Sequence, residues 1–306
     1  MKHASRHHAR QGGFVLLMAL LVVAVVTALM AGVARHSLAR AVQAGGAEEQ
    51  LQLRWGQISC ERAALQLAPE LIDQAQKPRR TPVAKVSMSV RLGAMEFDML
   101  AADENAKVEV NDLYDRLGSL RTQRALIEAL GGFKASVKLQ PYGAHRTREQ
   151  LEQSTMPLFG SLGQVVDVEP RQLMRAAERI TCWSNGKVNF RRASPEVLRA
   201  ACTSVLDGRD IQQMLIYRAG EAEIDLNNAL GALKLDKSQR KRAERVLTDQ
   251  SGCYSVWTTA HGVQRRWYRL AVANLSKPEA RRAVDDEGRP LPRELPDVQM
   301  QATFDW

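Results

Sequence analysis

The longest uninterrupted apolar run lies near the start of the chain. Residues 14–33 (FVLLMALLVVAVVTALMAGV) are twenty residues without a charge. At 1.5 Å per residue such a helix is about 30 Å long, the thickness of one hydrocarbon core. A secretory signal has an apolar region of only about 7–15 residues. Beyond it, Leu38, Val42, Leu51, Ile58 and Leu65 form a broken helical stripe, with Glu48, Glu49, Arg54 and Glu61 elsewhere. Residues 34–67 contain no proline, and Gly45-Gly46 is the obvious weak point. Pro69, then Lys77-Pro78-Arg79-Arg80, predict the end of the helix. A helix of roughly 50 residues far exceeds the globular mean of about 11–12. Half in lipid and half outside is the natural reading.

The period then changes. Val86, Met88, Val90 and Leu92 alternate with polar residues, Gly93-Ala94 turns the chain, and Met95, Phe97 and Met99 alternate again, which predicts a hairpin. Residues 107–111 (KVEVN) read as a short strand. Leu113, Leu117, Leu120, Ile127 and Leu130 have helical spacing, stopped by Gly131-Gly132. Residues 134–156 are polar and irregular. A helix follows, with Asp167 as N-cap and Pro170 in its first turn. Ser184-Asn185-Gly186 carries the turn chemistry of a small hairpin. Three more helices are predicted: one capped by Ser194 with Pro195 first, one between Gly208 and Gly220, and one over 237–247. Residues 254–272 form a second hairpin around His261-Gly262. Residues 276–306, with four prolines and mixed charge, read as a flexible tail. The short strands at 107–111 and 187–190 both precede a helix. That echo is either an internal repeat or the coincidence of a common joint.

These elements predict an α+β fold: a long N-terminal helix, then a small antiparallel sheet interrupted by a helical insert. Charge adds orientation. Lys2, Arg6 and Arg10 precede the apolar run and Arg35 and Arg40 follow it, so the positive-inside bias places the N-terminus in the cytoplasm. The net charge of +9 raises the question of an anionic partner. Residues 203–218 (TSVLDGRDIQQMLIYR) resemble half of a helix-hairpin-helix, and Lys237, Arg240, Lys241, Arg242 and Arg245 form a basic run, but only Gly208 is present to offer backbone N–H groups to phosphate. Residues 187–250 hold 12 basic and 9 acidic groups, a solvated face rather than a nucleic-acid stripe.

Candidate chemistry is sparse. Beyond the membrane flank only His145 and His261 remain, and no GxSxG, HExxH or P-loop pattern occurs, so no enzyme activity is expected. Cys60, Cys182, Cys202 and Cys253 contain no CxxC pair. They read either as buried apolar residues or, in an oxidising compartment, as partners, with Cys182 bonded to Cys253 or to Cys202. Asp103, Glu104, Glu109 and Asp112 surround a predicted strand. They are either solvated acids or oxygens for a hard cation.

The N-terminus resembles a class III, type IV pilin-like signal: a short basic leader, Gly13, Phe14, then the apolar run flowing into an amphipathic helix. Residues 186–201 (GKVNFRRASPEVLRAA) are similar to the "GKVNxNxASPEVL" joint of the K-type minor pseudopilins of type II secretion. The order of PLFGSLGQVV, ITCWSN, RDIQQMLIYR and SGCYSVW also looks like that family, over about residues 10–273. There are departures. The family tends to have small polar residues where this chain has Phe190-Arg191-Arg192, and the final tail is long. At the fifth mature position pilin-like chains usually carry Glu, and here it is Met18. A carboxylate in lipid is costly unless partnered. In pilin-like filaments that Glu is thought to meet a neighbour's N-terminal amine, so a chain lacking it is poorly suited to repeat along a filament. The K-type family shares this habit.

The resemblance implies a division into leader (1–13), transmembrane helix (14–33), periplasmic stalk helix and linker (34–76), pseudopilin domain (77–111 and 251–275), helical insert domain (112–250) and tail (276–306). It implies cleavage by a prepilin peptidase between Gly13 and Phe14, with methylation of the new N-terminus. It also implies insertion in the bacterial inner membrane, with the C-terminal domain periplasmic. Expected partners are the other minor pseudopilins, the major pseudopilin and secreted proteins. Nucleic acid is not expected. The family includes calcium-binding members, so calcium is the one cofactor implied, and no ligand is assigned. The implied role is a non-enzymatic minor pseudopilin at the pseudopilus tip, initiating assembly and supporting export. The alternative is a minor pilin-like protein of a type IV pilus or a membrane-tethered DNA-uptake receptor. Loss of the leader would leave a net charge of +6 over 293 residues, spread along the chain.

Overall fold

The computed structural model describes residues 8–77, 81–93, 95–131, 136–142, 158–167, 170–220, 225–261, 266–275 and 298–305. The chain divides into two units, Met1–Trp55 and Gly56–Trp306. One helix, α1 (His8–Gln76), runs through both. In the first unit every large apolar side chain from Phe14 to Val33 is at least 46% exposed.

The second unit starts inside α1. The helix does not end at Pro69, as the sequence suggested, but continues to Gln76. Proline removes one backbone donor and crowds the preceding turn, a cost of about 3 kcal/mol or more. Here Leu65, Ala68 and Ile72 are fully buried around it, so packing holds the helix through the break. The chain then enters β1 (Lys85–Leu92), turns at Gly93 with φ +62°, and returns as β2 (Met95–Asp103). The expected hairpin is present, in the register Val90 to Phe97.

A 3-10 turn at Glu104–Ala106 leads into the insert. The insert runs β3 (Val108–Glu109), α2 (Val110–Leu117), α3 (Ser119–Ala129), β4 (Ser136–Val137), β5 (Val166–Asp167), α4 (Pro170–Ala177) and β6 (Ile180–Thr181). It continues with β7 (Val188–Asn189), α5 (Pro195–Ala201), α6 (Gly208–Gly220), α7 (Leu226–Gly231), α8 (Lys237–Val246) and β8 (Leu247–Thr248). The helix read as continuous from Leu113 to Leu130 is broken at Gly118, whose φ of +71° ends α2. Ser194 caps α5 as expected, accepting from the Val197 N–H at 3.3 Å, with Pro195 first. The six-residue α7 is too short to leave a periodic signal.

The small hairpin expected around Ser184-Asn185-Gly186 does not form. β6 pairs in parallel with β3, and β7 pairs in parallel with β8. Gly186 turns the chain at φ +81°, from one short ladder to the other rather than back on itself. Each arm of the sequence echo therefore opens a strand–helix segment closed by a parallel partner.

The chain returns through β9 (Cys253–His261) and β10 (Arg266–Asn274), the second expected hairpin. Within the stretch read as a flexible tail, β11 (Val298–Asp305) pairs antiparallel with β10, while 276–297 lie outside the described residues. β11 satisfies backbone groups that would otherwise leave β10 as a sheet edge. The antiparallel sheet has the order β1-β2-β9-β10-β11.

Register assigns the two faces of this sheet. Phe97, Met99, Val256 and Arg269 lie on the face that meets α1. Gln57 donates to the Thr258 carbonyl at 3.1 Å, and Arg269 Nε donates to Glu61 Oε2 at 2.9 Å. Leu270 and Val272 face the other way, clustering with Cys253, Trp183 and Trp257 on the insert side. The main core fills the insert, with Phe159, Phe190, Leu113, Leu126, Ile180, Leu198 and Met214 fully buried.

Gly56 is where α1 meets Phe97. A Cβ there would lie 2.5 Å from Phe97 Cζ, and Phe97 is fully buried. Gly56→Ala is therefore expected to destabilise the second unit by about 1–3 kcal/mol through overpacking. Gly56→Ala/Phe97→Leu should recover part of that loss, as read by thermal unfolding of the full chain in detergent.

Candidate functional site

Two places carry candidate functional groups. The first is the apolar segment of α1. Phe14 is 64% exposed and Met18 is 48% exposed. Gly13 lies in the same helix. Among the described residues this is the one helix long and apolar enough to cross a membrane by length and composition. Exposed apolar surface on this scale needs lipid or other helices against it.

The second is the junction where the insert leaves the sheet and returns. Asp103, the last residue of β2, is fully buried. Its Oδ1 accepts the Asn105 N–H at 2.9 Å and so caps the 3-10 turn. Its Oδ2 accepts from Ser251 Oγ at 2.5 Å and from Arg192 Nη1 at 3.1 Å. Arg192 also pairs with Asp73 on α1. One guanidinium therefore joins the stalk helix, the end of β2 and the turn before α5. Burial pushes the Asp103 carboxyl up, against the lowering effects of Ser251, Arg192 and the Asn105 N–H. Burial works to lower the Arg192 guanidinium, but Asp103 beside it prevails and leaves it raised.

Asn105 completes the joint. Its amide N–H groups bond to Asn185 Oδ1 at 2.6 Å and to the Lys187 carbonyl at 2.8 Å. Its carbonyl oxygen accepts from the N–H groups of Gly252 and Cys253 at 3.0 and 2.9 Å. A single side chain thus ties the entry to the insert, its middle and its exit. Beside it, buried Glu104 pairs with Lys107 and accepts from Ser255 Oγ at 2.5 Å.

Of the four acids read either as solvated or as oxygens for a hard cation, Asp103, Glu104 and Glu109 are buried rather than solvated, and each of the four holds a structural contact. Asp103 and Glu104 hold the contacts above. Glu109 caps α2 by accepting the Asp112 N–H at 2.5 Å, and Asp112 pairs with Arg116 at 2.7 Å. Among the described residues no group of three or more His, Cys, Asp or Glu side chains is arranged to hold a metal. Burial raises Glu109 to about 7, against the lowering effect of its hydrogen bonds.

The cysteine candidates separate. Cys182 follows β6 and Cys253 opens β9; both are buried thiols. Cys253 Sγ lies 3.2 Å from the Trp183 carbonyl oxygen. Cys202 is buried after α5, where burial pushes its thiol up to about 12. His261 ends β9 rather than occupying a turn, with Nε2 2.7 Å from Asp98 Oδ2; His145 lies outside the described residues. The arginine that ends the helix-hairpin-helix-like stretch points inward. Arg218 donates to the carbonyls of Phe190 and Ala193 at 2.8 and 2.6 Å.

Sequence reasoning did not assign Arg192, Asp73, Asn105 or Ser251. One signal was present: Phe190-Arg191-Arg192 breaks the small, polar pattern of the family joint. In the structure Phe190 is fully buried and Arg192 is 9% exposed.

No protein-family model and no curated protein matches the sequence. Among solved structures, the fold is similar to a chain of the crystal structure of the GspK-GspI-GspJ complex from the enterotoxigenic Escherichia coli type 2 secretion system. The TM-score is 0.52 at 12% identity, over 86% of this chain and 99% of that one. The fold is thus pseudopilin-like: a long, apolar N-terminal helix and a small antiparallel sheet.

Arg192→Met is expected to destabilise the second unit by about 3–5 kcal/mol, because Asp103 is left buried without its opposite charge. Arg192→Met/Asp103→Asn should lose less than the single variant in denaturant unfolding of the full chain. Glu109 contributes a pH dependence of definite sign. Its carboxyl is raised in the folded state, so the unfolded chain releases that proton first as pH rises. Stability from this group is full below about pH 4.5 and declines to about pH 7. Glu109→Gln should flatten that part of the stability–pH profile, a change of up to about 3 kcal/mol.

Proposed function

We propose that this protein is a minor pseudopilin of a type II secretion system, of the K type. What carries the reading is the combination of a solvent-facing apolar α1 segment with a head whose fold is similar to a chain of a minor-pseudopilin complex. In this reading a prepilin peptidase removes residues 1–13 and methylates Phe14. The apolar segment anchors the chain in the inner membrane, N-terminus cytoplasmic, and the head lies in the periplasm. The protein has no catalytic role. It assembles with other minor pseudopilins at the pseudopilus tip, initiates the filament and supports export of secreted proteins.

Met18 suits a tip position. A subunit at the end has no neighbour above it whose amine a carboxylate would meet, and an unpartnered carboxylate in lipid is costly. The insert suits it as well, since a bulky head hinders stacking of a further subunit above. Calcium remains a proposed cofactor of the assembled head, with no residue of this chain assigned to it.

Affinity isolation of the full chain from detergent-solubilised membranes of its own host tests the assembly. The expected co-purifying proteins are small chains that each begin with a pilin-like apolar helix. A chain that isolates without them and binds DNA with a steep salt dependence would instead be a DNA-uptake receptor.

A further inference from the structure

At the seam between insert and sheet the structure sets Cys253 against the residue next to Cys182, 70 positions away in sequence. Cys182 sits just after β6, the insert strand that pairs with β3. Cys253 is the first residue of β9, at the centre of the sheet. The Cys253 sulfur touches the carbonyl of Trp183, the residue next to Cys182, at 3.2 Å. Glu104 and Glu109 act electrostatically on both thiols. Both backbones are pinned. The Cys253 N–H donates to Asn105 at 2.9 Å, and the Cys182 carbonyl accepts from Asn111 at 3.2 Å.

The other two cysteines lie elsewhere. Cys202 is in the helical core of the insert, where its charged neighbour is Arg116. Cys60 is on α1, which packs against the opposite face of the sheet from Cys253. The sequence puts Cys253 first and Cys202 second as partner for Cys182, since Cys182 and Cys253 both fall on predicted strands; the packing keeps that order.

We propose that Cys182 and Cys253 form a disulfide in the mature protein. This rests on the reading above that the head lies in an oxidising compartment. Each thiol loses its proton, one S–S bond forms, and the two electrons reduce the disulfide of a thiol oxidant to two thiols. Burial raises both thiols, so few thiolates are available once the head has folded, and the bond forms as the chain folds. Once closed it is shielded from reductants by the same burial. The bond joins the end of β6 to the start of β9 and encloses α5 to α8 in a covalent loop. The insert is thereby fastened to the sheet at its midpoint as well as at its two ends.

The full chain, isolated from membranes and alkylated in denaturant without reduction, is digested with trypsin. Peptides 180–187 and 246–265 should appear linked, separate on reduction, and stay unlinked in Cys182→Ser. Peptide 200–209, which carries Cys202, should be alkylated before reduction. A second sample is reduced, unfolded and refolded with reduced and oxidised glutathione. A link in both samples supports the pairing and the compartment. A link only after refolding supports the pairing and overturns the compartment. A link in neither, or one between Cys182 and Cys202, overturns the pairing.

Discussion

Asp103 is a carboxylate cut off from water, and much of the head is arranged so that it is never without a partner. Removing such a charge from solvent costs several kcal/mol unless hydrogen bonds and an opposite charge replace the water. Ser251, Asn105 and Arg192 do this, and each comes from a different stretch of the chain. Arg192 passes the constraint on to Asp73 at the end of α1. Sheet, insert and stalk helix therefore meet at one charge-assisted joint. A misplaced insert would strand a buried charge, which gives the joint a role in specifying one arrangement rather than only in adding stability.

Residues whose role is local were legible in the sequence. The apolar run of 14–33, the alternation in both hairpins, and the Ser194-Pro195 helix start each carry their physical cause within a few positions. What failed was decided at long range. Pro69 should end a helix by its own chemistry, yet buried neighbours carry α1 through it. Ser184-Asn185-Gly186 has the residues of a hairpin turn, but β6 and β7 each find a parallel partner elsewhere, and two-residue strands have no pattern that could announce this. The strand within the tail exists because β10 offers an edge.

The candidate site divided in the same way. The apolar run that carries Phe14 and Met18 is readable because its hydropathy is written in consecutive residues. The junction is not, since Asp73, Asp103, Arg192 and Ser251 are dispersed over most of the chain and share no spacing. Four acids near one strand read from sequence either as solvated acids or as oxygens for a hard cation. In the structure they cap helices or pair with Arg and Lys, the commoner use of buried and half-buried carboxylates.

The most direct measurement is the mass of the N-terminal peptide of the full chain after co-expression with a prepilin peptidase. A mature chain beginning at methylated Phe14 is the predicted result. A chain that keeps residues 1–13, or one cut beyond Val33, would contradict the pseudopilin reading.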